Sequence, residues 1–184
     1  GRGMLAGVLH ASGVLSHKLV RSMAADDIGA SFAPKAVAAS HVCTGRAQTP
    51  LEAVTLFSSV ASTLGSLGQT NYAAANAFLD ALASSCRVRA TVASSLQIPA
   101  VSGAGMGAST FDGAQLHAIG GVSLDEFAAC LHTSLASASV QPAQMLLPVA
   151  LLRSVAAPAF SEVAQAVVVR TTVHEVAAMA RGAL

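Results

Sequence analysis

Residues 56–83 read LFSSVASTLGSLGQTNYAAANAFLDALA, and the fold follows from how this stretch divides. The compact apolar run Ala53 to Phe57, rich in β-branched residues, is bounded by Pro50 before it and Ser58-Ser59 after it, as a buried strand would be. The region of Gly65, Gly68 and Asn71 reads as a loop. From Tyr72 to about Arg89 the high Ala and Leu content, with Phe78, Leu79 and Leu82 on one side, predicts a helix. Thr91 to Ile98 then has strand character up to the break at Pro99. A strand, helix, strand unit of this length predicts an α/β fold with a parallel sheet covered on both faces. Ligands of such folds bind at the carboxyl ends of the strands.

Upstream, the apolar run Met4 to His10 ends in Ala11-Ser12-Gly13, a buried strand closing in a turn. Asp26 to about Thr44 is helical, with Pro34 placed as if in a first turn, Val37, Ala38, Val42 and Cys43 on the apolar face, and Gly45 as its end. Downstream, residues 99–113 are rich in Gly, Ala and Ser without periodicity, which predicts a long loop and a candidate lid. Ser123 to about Ser137 reads as a helix opened by a capping box, Ser123 with Glu126, and Gln144 to Val149 as a short final strand. Pro158 marks a boundary, and Ser161 to Leu184 has helical periodicity in Val163, Val167 and Val168. The expected organisation is a catalytic part over 1–157 and a linker, or the start of a next segment, over 158–184.

Composition removes several classes of function. Hydrophobic residues make up 53% of the 184 and charged ones only 10%, enough for a substantial core. The formal charge is +1, and no basic run is interleaved with aromatics, so no nucleic-acid partner is expected. No apolar stretch reaches the ~18 residues of a membrane span, and the first residues lack a signal peptide's pattern, which predicts a soluble, cytoplasmic protein. Cys43, Cys86 and Cys130 fall in Ala-rich helical stretches and read as small buried hydrophobes. The six histidines are scattered without metal-ligand spacing, so no metal is expected.

The polar residues that remain converge. Ser12 and Gly13 end the first strand, Ser58 and Ser59 end the second, and Tyr72 opens the following helix, all at strand carboxyl ends. Tyr72 is the only tyrosine in the chain, and Asn76, four residues later, shares its helical face. A phenol has a reference pKa near 10, so it gives up a proton at neutral pH only where a cation or dipole stabilises the phenolate. Lys35 is one of two lysines that could do so. Taken singly, Tyr72 reads as a half-buried anchor, Asn76 as a helix-to-loop hydrogen bond and Lys35 as a solvated charge.

The stretch 56–83 resembles the active-site segment of the ketoreductase domains of polyketide and fatty-acid synthases, members of the short-chain dehydrogenase superfamily. GVLHASGVL at 7–15, Ala33-Pro34-Lys35 and Gly105-Met106 resemble the same family, and the likeness covers roughly residues 4–150. The resemblance implies a Rossmann-like, doubly wound parallel sheet. It also implies a catalytic set in which Ser59 polarises the substrate carbonyl and Tyr72, 13 residues later, donates the proton. Lys35, 24 residues before Ser59, would lower the tyrosine's pKa and hold the nicotinamide ribose. Asn76 stands where most of the superfamily carries lysine, which points to the synthase branch. By the same resemblance Ala11, Ser12, Gly13, Ser58, Gln97, Ile98 and Pro99, with Lys35 and Tyr72, contact the cofactor. The implied reaction is reduction by NADPH of a β-ketoacyl group, carried on the phosphopantetheine of an acyl carrier protein, to the β-hydroxyacyl thioester. The implied surroundings are neighbouring synthase domains.

Three departures accompany the likeness. The family's first strands and glycine-rich phosphate loop would lie before Gly1, so the sheet is expected to be truncated at its N-terminus and the isolated chain to bind NADPH poorly. Leu15-Ser16-His17 replaces the Leu-Asp-Asp of one stereochemical class, and Leu64 replaces the tryptophan of the other. Gln97-Ile98-Pro99 replaces a tryptophan-glycine motif near the nicotinamide. A catalytically silent unit of a synthase, a dehydrogenase acting on a free small molecule and an interaction domain docking through 161–184 are the competing readings.

Overall fold

The computed structural model describes residues 5–45, 51–89, 92–118 and 121–136; the expected strand at 144–149, the boundary at Pro158 and the tail 161–184 lie outside them. Three parallel strands form one sheet in the order β1 (Gly7–His10), β2 (Ala53–Ser59), β3 (Ala93–Ile98). In register, His10 lies beside Leu56, and Ser59 beside Ile98. Parallel neighbours need a long crossover, and helices supply both. Between β1 and β2 run α1 (Ala25–Phe32) and α2 (Ala38–Gly45); between β2 and β3 run α3 (Ala61–Leu64) and α4 (Thr70–Val88). After β3 come α5 (Gly105–Thr110), α6 (Gly113–Ala118) and α7 (Leu124–Ala136).

β2 is the middle strand, and Val54, Thr55 and Leu56 are all buried, which is why its sequence is a continuous run rather than an alternation. Thr55 adds a cross-strand hydroxyl contact with Ser94 at 3.0 Å. α4 packs on β2 and β3 and buries Ala75, Leu79, Ala83 and Cys86, one stripe of the helix. Together with Ala39, Val54, Leu56 and Ala93, three of these, Leu79, Ala83 and Cys86, make the core. Leu56 and Leu79 are the largest fully buried side chains of this core. Leu56→Ala is therefore expected to cost about 3 kcal/mol of unfolding free energy, checked as a fall in the urea midpoint at unchanged m.

The expected helix at 26–44 is present from Ala25 to Gly45 but is interrupted by a π-helical turn at Ala33–Val37. Pro34 lies well inside the helical stretch rather than in its first turn. Its missing N–H and its ring disfavour regular α-helix there, and the π turn absorbs the mismatch. The loop expected at 99–113 contains α5, whose two glycines weaken its helical signal. The helix packs closely on Val101: a Cβ on Gly107 would stand 2.8 Å from the Val101 nitrogen and 2.9 Å from its oxygen, so only glycine fits there. Val101 in turn bridges Val122 in parallel. Asn71, read as loop, lies in the first turn of α4. The capping box of α7 forms, with Ser123 N–H donating to Glu126 at 2.8 Å and Glu126 N–H to Ser123 Oγ at 3.2 Å. Cys43, Cys86 and Cys130 all fall in helices as expected, but only Cys86 is fully buried, Cys43 and Cys130 being partly exposed. Among the described residues no helix is long and apolar enough to cross a membrane.

Candidate active site

The carboxyl ends of β1, β2 and β3 open on one cleft of about 730 Å³. That is the size and place expected of a ligand site in an open α/β sheet. Lys35, Ser59 and Tyr72 line it together with Ala11, Ser58, Ile98 and Pro99. Its remaining wall is mostly apolar, with Leu64, Met106 and Phe127 among the contributors, and Leu15 lines it as well. Phe127 is held edge-on against Phe57, with ring centroids 5.8 Å apart.

The π turn presents Lys35 to this cleft. The side chain is only 3% exposed, its ammonium donates to the Phe57 carbonyl at 3.0 Å, and it lies 5.2 Å from the centre of the Tyr72 ring. Burial pushes the Lys35 pKa down to about 8, with the charge of Asp80 opposing the shift. Lys35 is thus no solvated surface charge. Tyr72 is also buried, and burial raises its phenol above the ordinary value while hydrogen bonding with the Asn76 and Ser59 side chains pulls it back. The phenol accordingly keeps its proton through the neutral range and has one to give.

Ser59 Oγ accepts the Ala61 N–H at 3.2 Å, fixing the hydroxyl at the cleft where β2 turns into α3. Ser58, on the buried side, donates to the Asn76 carbonyl at 3.2 Å and ties β2 to α4. Asn76 is fully buried. Its Nδ2 donates back to the Tyr72 carbonyl at 2.8 Å, and its Oδ1 is a buried acceptor without a partner among the described residues. Asn76, expected among the catalytic groups, thus lies behind the cleft wall and does not line it.

Not every expected residue reaches the cleft. Ser12 is exposed and off its wall, and Gln97 points away, donating to Asp80 at 2.9 Å and accepting from Thr63 at 3.0 Å. Gly13 stands behind Lys35: a Cβ there would lie 3.0 Å from Lys35 Cε and 3.4 Å from Nζ. Gly13→Ala should therefore push the ammonium off its position and lower turnover roughly 10–100-fold with little change in stability, read as kcat beside a thermal melt.

Three positioning groups were missed in the sequence. His10 places Nε2 3.2 Å from the Lys35 carbonyl, bracing the π turn from β1. Asn71 donates to the Asp27 carbonyl at 2.9 Å and the Ser16 carbonyl at 3.3 Å, and accepts from Tyr72 N–H at 2.9 Å, which fixes the start of α4. Asp80 sits four residues beyond Asn76, and that spacing was the available signal. Among the described residues no three His, Cys, Asp or Glu side chains gather as metal ligands would.

Comparison with known proteins points to one family. The family model described as "KR domain" matches residues 2–103. Polyketide synthase GfsA of Streptomyces halstedii is 51% identical over 92 residues, covering 50% of this chain and 1% of that protein. Spectinabilin polyketide synthase system protein NorB of Streptomyces orinoci is 39% identical over 138 residues, 72% of this chain and 6% of the relative. Among solved structures, an A1-type ketoreductase superposes with a TM-score of 0.74 at 29% identity, over 82% of this chain and 32% of that one. The chain thus spans a few per cent of these synthases and about a third of the solved ketoreductase.

Proposed function

The chain belongs to the KR domain family, and on that premise we propose that it is the catalytic part of a ketoreductase domain of a polyketide synthase. Its reaction is reduction of a β-ketoacyl thioester, presented on the phosphopantetheine of an acyl carrier protein, to the β-hydroxyacyl thioester. The observation that carries this reading is the meeting of Ser59, Tyr72 and Lys35 at one cleft, from three elements far apart in sequence.

The residues present suit a nicotinamide cofactor. Ala11, Ile98 and Pro99 offer the cleft an apolar wall, and Lys35, Ser59 and Tyr72 set one cation and two hydroxyl side chains on the same lining. NADPH, when bound, supplies the hydride that adds to the carbonyl carbon. Ser59 Oγ–H hydrogen-bonds the carbonyl oxygen, and the Tyr72 phenol gives that oxygen its proton as negative charge develops there. The Lys35 ammonium, beside the ring, favours the phenolate left behind. Ser58 and Asn76 hold β2 and α4 in register so that Ser59 and Tyr72 meet the same atom.

We read residues 1–157 as this catalytic part and 158–184 as a linker to a neighbouring synthase domain. Among the described residues no strand pairs with the outer edge of β1, and Leu5 and Leu9 are more than half or about half exposed at 58% and 50%. A parallel sheet is ordinarily covered on both faces and continued at such an edge, which supports a cofactor-binding half packing there. The test follows NADPH oxidation at saturating cofactor by the longer protein that carries this chain, with a β-ketoacyl thioester mimic. Formation of the β-hydroxy thioester is the expected result. NADPH binding without oxidation would overturn the reading in favour of a silent structural unit.

A further inference from the structure

Gln97, expected at the cofactor, is committed instead to a polar cluster off the cleft wall. Its Oε1 accepts from Thr63 Oγ1 at 3.0 Å, and its Nε2 donates to Asp80 at 2.9 Å. Asp80 accepts in addition from Ser62 Oγ at 2.7 Å and from Ser95 Oγ. Ser95 and Gln97 are two residues apart on β3, so they share one face of the strand, and both are buried. The cluster ties three elements together: α3 through Ser62 and Thr63, β3 through Ser95 and Gln97, and α4 through Asp80.

α3 needs such a tie. It has only four residues, and a single helical turn fixes more backbone than its own hydrogen bonds repay. Ala61 and Leu64, three apart on one face, line the cleft, whereas Ser62 and Thr63 are held by the cluster. The turn follows closely on Ser59, whose Oγ accepts the Ala61 N–H at 3.2 Å. That bond uses a lone pair and leaves the Ser59 O–H free to donate. The position of α3 therefore sets the position of the Ser59 hydroxyl. Asp80 refers that position to α4, the helix that carries Tyr72.

We propose that Gln97 and Asp80 are positioning residues for the reduction: their hydrogen bonds to Thr63 and Ser62 hold α3 so that the Ser59 hydroxyl meets the same substrate oxygen as the Tyr72 phenol. The inference rests on the ketoreductase reading for its effect on turnover, and on the hydrogen bonds alone for the hold on α3.

The experiment is a double-mutant cycle in the longer protein that carries this chain, with single-turnover reduction as its readout. Gln97→Met keeps the length of the side chain and removes both hydrogen bonds. Asp80→Asn, which replaces one acceptor oxygen by a donor, serves where Met does not fold. Either should lower the rate about tenfold, with NADPH affinity, read by fluorescence, unchanged. In a Ser59→Ala background the same substitution should cost less than about twofold, because no hydroxyl is left to place. An equal loss in both backgrounds, a loss carried by NADPH affinity, or no loss at all overturns the proposal, since a purely structural role adds to the loss of Ser59 rather than vanishing with it. Hydrogen exchange reads the hold itself. The Leu64 and Gly65 amides, which close α3 on the Val60 and Ala61 carbonyls, should exchange about tenfold faster in the variants, while those of Ala75 and Leu79 in α4 keep their protection. Unchanged exchange at Leu64 and Gly65 overturns the proposal as well. Where the wild type shows no turnover, the ketoreductase reading fails; there, or where Ser59→Ala is too slow to follow, the exchange result decides the hold on α3.

Discussion

Tyr72→Phe is expected to lower ketone reduction by about 10³-fold while leaving the fold and NADPH binding intact, since positioned proton donors contribute roughly 10²–10⁴. The substitution removes one oxygen. The ring stays packed, because Tyr72 is held by backbone contacts that Phe retains: its N–H on Asn71 Oδ1 and its carbonyl under Asn76 Nδ2. It also keeps its face toward the Lys35 ammonium. What disappears is the phenolic hydrogen placed beside Ser59, in a cleft whose walls are mostly apolar. Burial keeps the phenol protonated across the neutral range, so the wild-type rate should not rise or fall through Tyr72 ionisation there. Cofactor titration by fluorescence and single-turnover reduction separate the two effects. Equal loss of NADPH affinity and turnover would mean that Tyr72 only builds the pocket.

Much of this site was legible because strands announce their ends. Ser58-Ser59 closes the apolar run of β2, and Ala11-Ser12-Gly13 closes β1, and in a parallel sheet those ends share one side. Tyr72 and Asn76 declared themselves by helical spacing and by residue type. The spacing of Lys35 carried meaning only through family likeness, because its burial depends on a π turn that no periodicity reports. Pro34 hinted at an irregularity but could not fix its form. The family resemblance puts Gln97, near the end of β3, at the cofactor, yet alternation along a strand sends neighbours to opposite faces. Ile98 takes the cleft, and Gln97 takes the Asp80 network. α5 is not legible from its composition, because Gly105 and Gly107 weaken the helical signal, and Gly107 is there for its close approach to Val101.

Lys35→Met joins the two halves of this account, since it should make the protein more stable and the enzyme inactive. Burial lowers the Lys35 pKa from 10.5 to about 8 in the folded protein. Between those values the unfolded chain holds the proton more tightly than the folded one. The penalty is therefore present in full below pH 8 and is relieved as pH rises towards 10.5. Methionine is of similar length and carries no charge. Allowing for the lost bond to the Phe57 carbonyl, it should raise unfolding free energy by about 2 kcal/mol at pH 7, and the advantage should fade by about pH 10. Turnover should fall about 10²-fold or more, because nothing else among the described residues puts a cation beside the Tyr72 ring. Urea unfolding at pH 7 and pH 10, run beside the reduction assay, reads both. A variant that loses stability at pH 7 would make Lys35 a structural brace. One that gains stability and loses activity would show that the fold carries a buried cation for the sake of the chemistry at Tyr72.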